Sequence, residues 1–316
     1  MFYYPVVIPT LNRYEHFRRC VESLARNIYA DLTELVIGLD YPPSEKYVAG
    51  YQQIKEYLPS ISGFKKVTIF ERDTNWGPGK NNTALIEYVY EYYDAVITTE
   101  DDNEFSPCFL DYMNKMLNHY RDDKRIATIS GYLPADFHCI SSTGLIFTRE
   151  SNAWGCGIWR NKTESAKERR ATAVSVLQSL PRAWKSFRTY PACFRMLISM
   201  VSRNTGWGDV IRTQNNIMNG TFQVRPAMSL VRNWGNDGSG LHCINNESIA
   251  QQPISDALTF EEPTNWEPYY SKKVSHATFR LTWPKNNLLF AGKLIITVLL
   301  YIRYRIICLF RCLVSH

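Results

Sequence analysis

No two of the eight cysteines, at 20, 108, 139, 156, 193, 243, 308 and 312, form a C-x-x-C pair, which excludes a zinc knuckle and a dithiol redox motif. Glycine and proline are sparse, 16 and 15 residues of 316, and no segment repeats, which excludes collagenous, low-complexity and disordered chains. The N-terminal residues carry neither a basic leader nor a small-residue cleavage site, so no secretory signal is expected and the thiols are expected to be reduced and cytosolic. Acid is missing from the last segment: from Lys285 on, the cations Lys285, Lys293, Arg303, Arg305 and Arg311 meet no Asp or Glu. The formal charge of +6 thus leaves only +1 for residues 1–284. That distribution argues against a nucleic-acid partner, which calls for cations spread over a folded face, and for an anionic membrane surface.

What is present is a core and an order. Hydrophobic residues make up 45% of the chain, enough to bury a sizeable interior, and the 14% aromatic content suits core packing and flat ligands or sugars alike. Over the first 125 residues short β-branched runs alternate with helical patterns, the signature of an α/β protein with a mostly parallel sheet flanked by helices. Strands are expected at Tyr3–Ile8, Glu34–Leu39, Lys66–Phe70 and Ala95–Thr99, and helices near His16–Arg26, Ser44–Tyr57, Asn82–Tyr92 and Phe109–Tyr120. Phe17, Cys20, Val21 and Leu24 share one helical face. Further on, Ile126–Ser130 and Leu145–Thr148 read as strands, Glu164–Leu180 and Pro191–Val201 as helices, and the Gly/Trp clusters at 154–159 and 206–208 as tight loops.

The last thirty residues are apolar, yet their longest uncharged stretch, Leu294–Ile302, is about half of the ~20 residues a bilayer span needs. At ~100° per residue Lys285, Lys293, Arg303 and Arg311 fall on one stripe, with Arg305 off it. A C-terminal amphipathic helix lying on the membrane surface is expected, with Trp283 as an anchor; a helix docked on the core is the alternative.

Three segments carry chemistry. The apolar run 96–99 ends in Glu100, Asp101 and Asp102. Such acids at the carboxyl edge of a parallel sheet repel one another unless a cation or hydrogen bonds compensate, and their hard oxygens suit Mg²⁺ or Mn²⁺. A solvated acidic turn is the alternative. The first strand ends in Pro9-Thr10-Leu11-Asn12-Arg13 and the second in Asp40, which puts polar groups at the same edge. The loop Asn75-Trp76-Gly77-Pro78-Gly79-Lys80 precedes a helix, where N–H groups and the Lys80 ammonium suit phosphate oxygens.

Residues 7–13, Asp40, the Asn75/Gly77 loop and the acidic triplet together resemble a nucleotide-sugar glycosyltransferase of the GT-A fold. The order of Phe105-Ser106-Pro107, Gly206-Trp207-Gly208-Asp209, Arg225–Ser229 and Gly235–Gly240 is similar to that of the N-acetylglucosaminyltransferase I family and its bacterial relatives, and Ser151–Trp159 to the Trp/Gly segment of bacterial sugar transferases. The resemblance covers residues 1–250. It implies that Asp102 ligates Mn²⁺ or Mg²⁺, that Asp101 and Glu100 contact ribose and donor sugar, that Arg13 and Asp40 hold the nucleotide with Thr10 and Asn12 beside them, and that Asp209 is the catalytic base. It further implies a metal or phosphate contact at His242 and a sugar pocket shaped by Trp154, Gly155 and Trp159, with Trp207 beside the base.

The expected organisation is a nucleotide-sugar half (1–125), an acceptor half of the same domain (126–284) and a membrane-associating tail (285–316). The expected activity is metal-dependent, inverting transfer from a nucleotide-diphosphate sugar, a UDP-sugar first, to a glycan hydroxyl. A basic apolar tail favours a lipid-linked acceptor and a peripheral place on the inner face of the cell membrane. The alternatives are a retaining transferase and a non-catalytic, membrane-associated sugar-nucleotide-binding protein; a nucleotidylyltransferase would instead carry a Gly-rich, Arg-containing loop after the first strand.

Overall fold

Short β-branched runs build the sheet. Val6–Thr10 forms β1, Glu34–Leu39 β2, Lys66–Glu71 β3 and Ala95–Thr98 β4. The computed structural model describes residues 2–134, 144–162, 166–203, 205, 208–235, 237, 251–255 and 287–314. β1 begins later than the expected Tyr3 because asparagine side chains take the backbone donors before it: Tyr4 N–H donates to Asn114 Oδ1 at 2.9 Å and Phe2 N–H to Asn118 Oδ1 at 3.1 Å. Both asparagines lie on α4 (Phe109–His119).

The connecting helices are α1 (Tyr14–Ala25), α2 (Val48–Tyr57) and α3 (Gly77–Tyr90). α1 buries Phe17, Cys20, Val21 and Leu24, the face read from the sequence. On the sheet, Val7, Val36 and Val96 pack with Leu85, Val89 and Tyr90 of α3. β1 pairs in parallel with β2 from Val6↔Leu35 to Thr10↔Leu39, and with β4 at Val6↔Ile97; β2 pairs in parallel with β3.

Residues 154–159, expected as a loop, are corrected to a turn followed by a strand. Cys156–Trp159 is β8, antiparallel to β4 on one side and to β6 (Ile126–Ser130) on the other. All four of its residues are buried. Gly157 faces Met113 and Leu117, which a Cβ would approach to 2.9 Å, and Trp159 donates from Nε1 to Leu117 O at 3.2 Å. A Gly/Trp-rich string reads as a loop by composition, but its small and large residues here interlock with α4 inside the core. With β7 (Leu145–Thr148) and β9 (Phe222–Pro226) the sheet order is β3-β2-β1-β4-β8-β6-β9-β7. Of the six strands from β3 to β6 in that order, five run in one direction, the mostly parallel α/β sheet expected. A two-stranded ribbon pairs β5 (Asn103–Phe105) with β10 (Val231–Asn233).

The chain divides into two compact units. Unit 1 comprises Met1–Ile146, Asn152–Thr163 and Val224–Glu267; unit 2 comprises Phe147–Ser151, Glu164–Gln223 and Pro268–His316. Unit 2 is helical, with α5 (Ala166–Gln178), α6 (Leu180–Thr189), α7 (Pro191–Arg203), α8 (Gly208–Asn219) and α9 (Asn287–Val314). The single helix expected at Glu164–Leu180 ends at Gln178, and a second starts with Pro181 in its first turn, where proline's fixed φ and missing N–H fit. The core of unit 2 includes Val176, Leu177, Phe194, Leu197 and Ile198, and Leu294, Leu300, Tyr301 and Tyr304 of α9 pack against it. Tyr301 Oη and Arg305 donate to the Leu177 carbonyl at 2.9 and 3.4 Å, and Arg305 also binds Gln178 O, so α9 caps the end of α5. One side of the tail helix is therefore docked, as the alternative reading held; Trp283 and Lys285 lie outside the described residues.

Gly155 has φ +64°, and a Cβ there would sit 2.8 Å from Phe109 Cε2 and 2.9 Å from Val231 Cγ2. Gly220 has φ +73° with nothing within 4 Å. Gly155→Ala should cost roughly 2–4 kcal/mol, the left-handed penalty plus overpacking, and Gly220→Ala only about 1 kcal/mol. Urea unfolding of the two variants measures the difference, and equal losses would refute the packing account.

Candidate active site

In the order β3-β2-β1-β4 the chain winds outward from β1 to one side through β2 and β3, then returns to β4 on the other. The crevice beyond the carboxyl ends of β1 and β4 is thus a topological switch point, where open α/β sheets bind ligands. Two loops meet there. Thr10 Oγ1, at the end of β1, donates to Asp101 Oδ2 at 2.8 Å. Arg13, three residues on, binds Asp101 Oδ1 and reaches Asp102 Oδ2 at 2.9 Å. Thr10, Asp101 and Asp102 are buried. Asn12 also follows β1, and its backbone carbonyl lies against α2 so closely that a Cβ on Gly50 would meet it at 1.9 Å.

Two carboxylates share one guanidinium, so the pair keeps excess negative charge inside the fold. Burial pushes the Asp102 carboxyl above its ordinary range, with the Asp101 charge adding to the rise and Arg13 opposing it. Burial would lower the Arg13 guanidinium, but the two carboxylates override it and hold the group above its usual value. The Cys20 thiol, buried behind them with Sγ 3.7 Å from Glu100 O, is pushed well up by burial and by both carboxylates. Such a site favours a further cation.

The ribbon closes it. Asn233 Nδ2, at the end of β10, donates to Asp102 Oδ1 at 2.7 Å and to Asn103 Oδ1 at 2.9 Å. Trp234 N–H donates to Asp102 O at 2.8 Å. A Cβ on Gly235 would lie 2.0 Å from Asp102 Oδ2 and 3.3 Å from Arg13 Nη1, so the backbone packs directly against the carboxylate and only glycine fits there. The Trp234 ring is held by Glu104, which accepts from Nε1 at 2.7 Å, and by the Arg19 guanidinium 4.2 Å above it. Asn233 was not singled out in the sequence, and no local pattern marks it: the ribbon brings it 131 positions back to Asp102. Gly235 stood only as the first residue of a Gly-containing stretch.

The remaining expected residues fall into three groups. Glu100 is exposed and accepts from Trp154 Nε1 at 3.0 Å, while the Trp154 ring stands edge-on to Tyr132 with centroids 4.6 Å apart. Gly155 follows Trp154, and its carbonyl accepts from Gly131 N–H at 2.9 Å. Asp40 is buried and accepts from Tyr41 N–H at 2.9 Å and Trp76 N–H at 2.8 Å. Asn75 Nδ2 donates to Tyr41 O at 2.6 Å, and the Lys80 ammonium lies 4.0 Å over the Trp76 ring. Asp40 thus braces the 75–80 loop at the start of α3. Asp209 belongs to unit 2, in the first turn of α8, where its Oδ1 accepts from Val210 N–H at 2.9 Å. In the same unit Glu150 Oε1 accepts from Tyr190 Oη at 2.9 Å. Trp207 and His242 lie outside the described residues.

Among the described residues no cluster of three or more His, Cys, Asp or Glu could hold a metal by itself. The donor set fits a divalent cation of the kind that substrate completes. Both oxygens of Asp101 are engaged, by Thr10 and Arg13, and both of Asp102, by Asn233 and Arg13, so a cation would share these buried oxygens and take up the negative charge that Arg13 leaves over. Mg²⁺ and Mn²⁺ are bound in this way by one or two carboxylates, waters and phosphate oxygens.

A comparison with curated protein sequences gives no match. Among solved structures, S. aureus TarS 1-349 in complex with UDP-GlcNAc aligns at 17% identity and a TM-score of 0.32, covering 41% of this chain and 34% of that one. The mannosyltransferase PcManGT from Pyrobaculum calidifontis, in complex with GDP-Man and Mn2+, aligns at 11% identity and a TM-score of 0.40, covering 68% and 69%. The chain spans 21% of the S. aureus TarS chain that it also matches. Residues 6–164, half of this chain, match the family model for glycosyl transferase family 2, from the first residue of β1 past the Trp154 segment, and the chain belongs to that family of glycosyltransferases.

Proposed function

We propose that the protein transfers a hexosyl or N-acetylhexosaminyl residue from a nucleotide-diphosphate sugar, a UDP-sugar first, to a hydroxyl of a lipid-linked glycan in polysaccharide or lipopolysaccharide synthesis. The observation that carries this reading is the meeting of Thr10 and Arg13 with the buried Asp101 and Asp102 at the β1/β4 switch point. A diphosphate is anionic, and a crevice with two buried carboxylates takes it only with positive charge between them. Asp102 would hold Mn²⁺ or Mg²⁺, which when bound neutralises the charge that grows on the leaving diphosphate. Arg13 supplies a fixed positive charge beside it and orients both carboxylates. Asp101, tied to Thr10 and Arg13, faces the donor ribose or sugar, and Asp40 and Arg13 hold the nucleotide.

Glu100 and Trp154 form a hydrogen-bonded pair with an exposed carboxylate and an indole, the kind of surface that takes a sugar ring by stacking and hydroxyl contacts. Gly155 frees the turn that carries Trp154, and Lys80 with Asn75 flanks the phosphate side. Asp209 is the proposed base: it removes the proton of the acceptor hydroxyl as that oxygen attacks the anomeric carbon, and the anomeric bond to the diphosphate breaks on the opposite side, which inverts the configuration. This role follows the N-acetylglucosaminyltransferase I-like order of motifs, in which Trp207 precedes the base. His242 is kept as a candidate metal or phosphate contact. The lipid-linked acceptor and a peripheral place on an anionic inner membrane face follow from the basic, apolar tail.

Asp102→Asn should reduce transfer by roughly 10²–10³-fold and leave the circular dichroism melt intact; wild-type transfer at full rate in excess chelator would refute the metal role. For the base, Asp209→Asn should lower turnover by roughly 10²–10⁴-fold with donor affinity unchanged, and NMR of the product should report the inverted anomer. Near-normal turnover of that variant would move the base to Glu150.

A further inference from the structure

A helix docked on a globular core ordinarily turns its polar face to water. α9 does the reverse. At ~100° per residue, Leu294, Thr297, Tyr301 and Tyr304 fall on one side, and these are the residues against the helical core of unit 2 or buried beside it. The opposite side carries Ile295, Val298, Leu299, Ile302, Ile306 and Leu309, all exposed, with Ile295 at 61%, Leu299 at 58% and Leu309 at 59%. This aliphatic strip runs for roughly 20 Å, and Arg303, at its edge, has a stem long enough to lie along it with its head at the rim. Of the cation stripe read from the sequence, Arg303 is exposed and Lys293 half-buried at the border of the docked side, while Lys285 and the side chain of Arg311 lie outside the described residues.

Unit 2 exposes apolar residues outside α9 too, and those of α6 are tied to the docked side of α9. Trp184 on α6 is 61% exposed, and ring contacts lead from it through Phe187 and Phe194 to Tyr301 of α9, with centroids 6.0, 5.9 and 5.4 Å apart. Leu180, in the first turn of α6 and two residues past the carbonyl that Arg305 caps, is exposed as well.

Charge decides what covers this face. The segments that make up unit 2 hold 18 Lys and Arg against 4 Asp and Glu, a formal +14, while unit 1 holds 18 against 26, a formal −8. Two copies of the chain joined through this face would bring two units of formal charge +14 together, which repel. An anionic bilayer attracts them at about 1 kcal/mol per cation near the surface and accepts the aliphatic side chains below its headgroups. No helix among the described residues is long and apolar enough to cross a membrane.

We infer that the outward face of α9, centred on Ile295, Leu299 and Ile302, inserts flat into the headgroup region of an anionic lipid bilayer while the inward face stays docked on unit 2. This gives the membrane partner proposed above its contact surface. It rests on helix packing and charge, so it stands or falls apart from the transferase chemistry.

The test uses the full chain without donor or acceptor. Wild type should sediment with vesicles rich in phosphatidylglycerol at low salt and at least roughly tenfold less with phosphatidylcholine alone. The double variant Leu299→Glu/Ile302→Glu should lose about tenfold or more of the binding, with its melting curve unchanged because both side chains are exposed. Wild type that ignores phosphatidylglycerol vesicles, or a double variant that binds as well as wild type, would overturn the inference. A dimer in light scattering that the double variant breaks, without vesicle binding, would assign the face to a second copy instead.

Discussion

The ion triad of Arg13 with Asp101 and Asp102 is the constraint on which the site depends. It joins the loop after β1 to the loop after β4 at the one place where the parallel sheet reverses its winding. Without Arg13 the two buried carboxylates would repel each other and pull water or cations into the crevice. With it the pair holds together but remains one charge short of neutral. That leftover negative charge is what the divalent cation proposed above would balance, while Arg13 supplies enough compensation for the carboxylates to stay buried in the fold.

The same carboxylates depend on a segment far away in the sequence. The β5–β10 ribbon sets Asn233 against Asp102, and Gly235 comes so near that any side chain there would collide with the carboxylate. The match to glycosyl transferase family 2 ends at residue 164, so this closing segment lies outside the part of the chain the family defines. The core of the sheet and the edge that carries Arg13, Asp101 and Asp102 thus lie within the family match, and Asn233 and Gly235, which finish the crevice, come from the chain beyond it.

In unit 2 two demands meet on one helix. Tyr301 and Arg305 of α9 hold the end of α5, and the apolar residues around them complete the helical core. The other side of the same helix is equally apolar and faces outward. A helix that is apolar on all sides needs two apolar or interfacial neighbours, and here the bundle supplies one and the lipid surface is proposed as the other.

The parallel half of the fold was legible in the sequence because its signals are local: β-branched runs of four to six residues, helical spacing at Phe17, Cys20, Val21 and Leu24, and acids placed directly after β4. The polar edge after β1 and the triplet after β4 could be named for the same reason, since the sequence puts each at the end of its own strand. What the triplet binds to within the fold could not be read. Whether Arg13 or water met Asp102 depended on β1 lying beside β4, and Asn233 reached it only through a ribbon that pairs strands over a hundred residues apart. Cys156–Trp159 looked like a loop because composition records small and bulky residues but not the helix that interlocks with them. The tail, too, showed its apolar character and its cations in sequence, while the choice of which face docks was made by the groove that the helices of unit 2 offer. Local propensity and spacing set the elements; contacts between residues distant in the chain decided which of their side chains form a site.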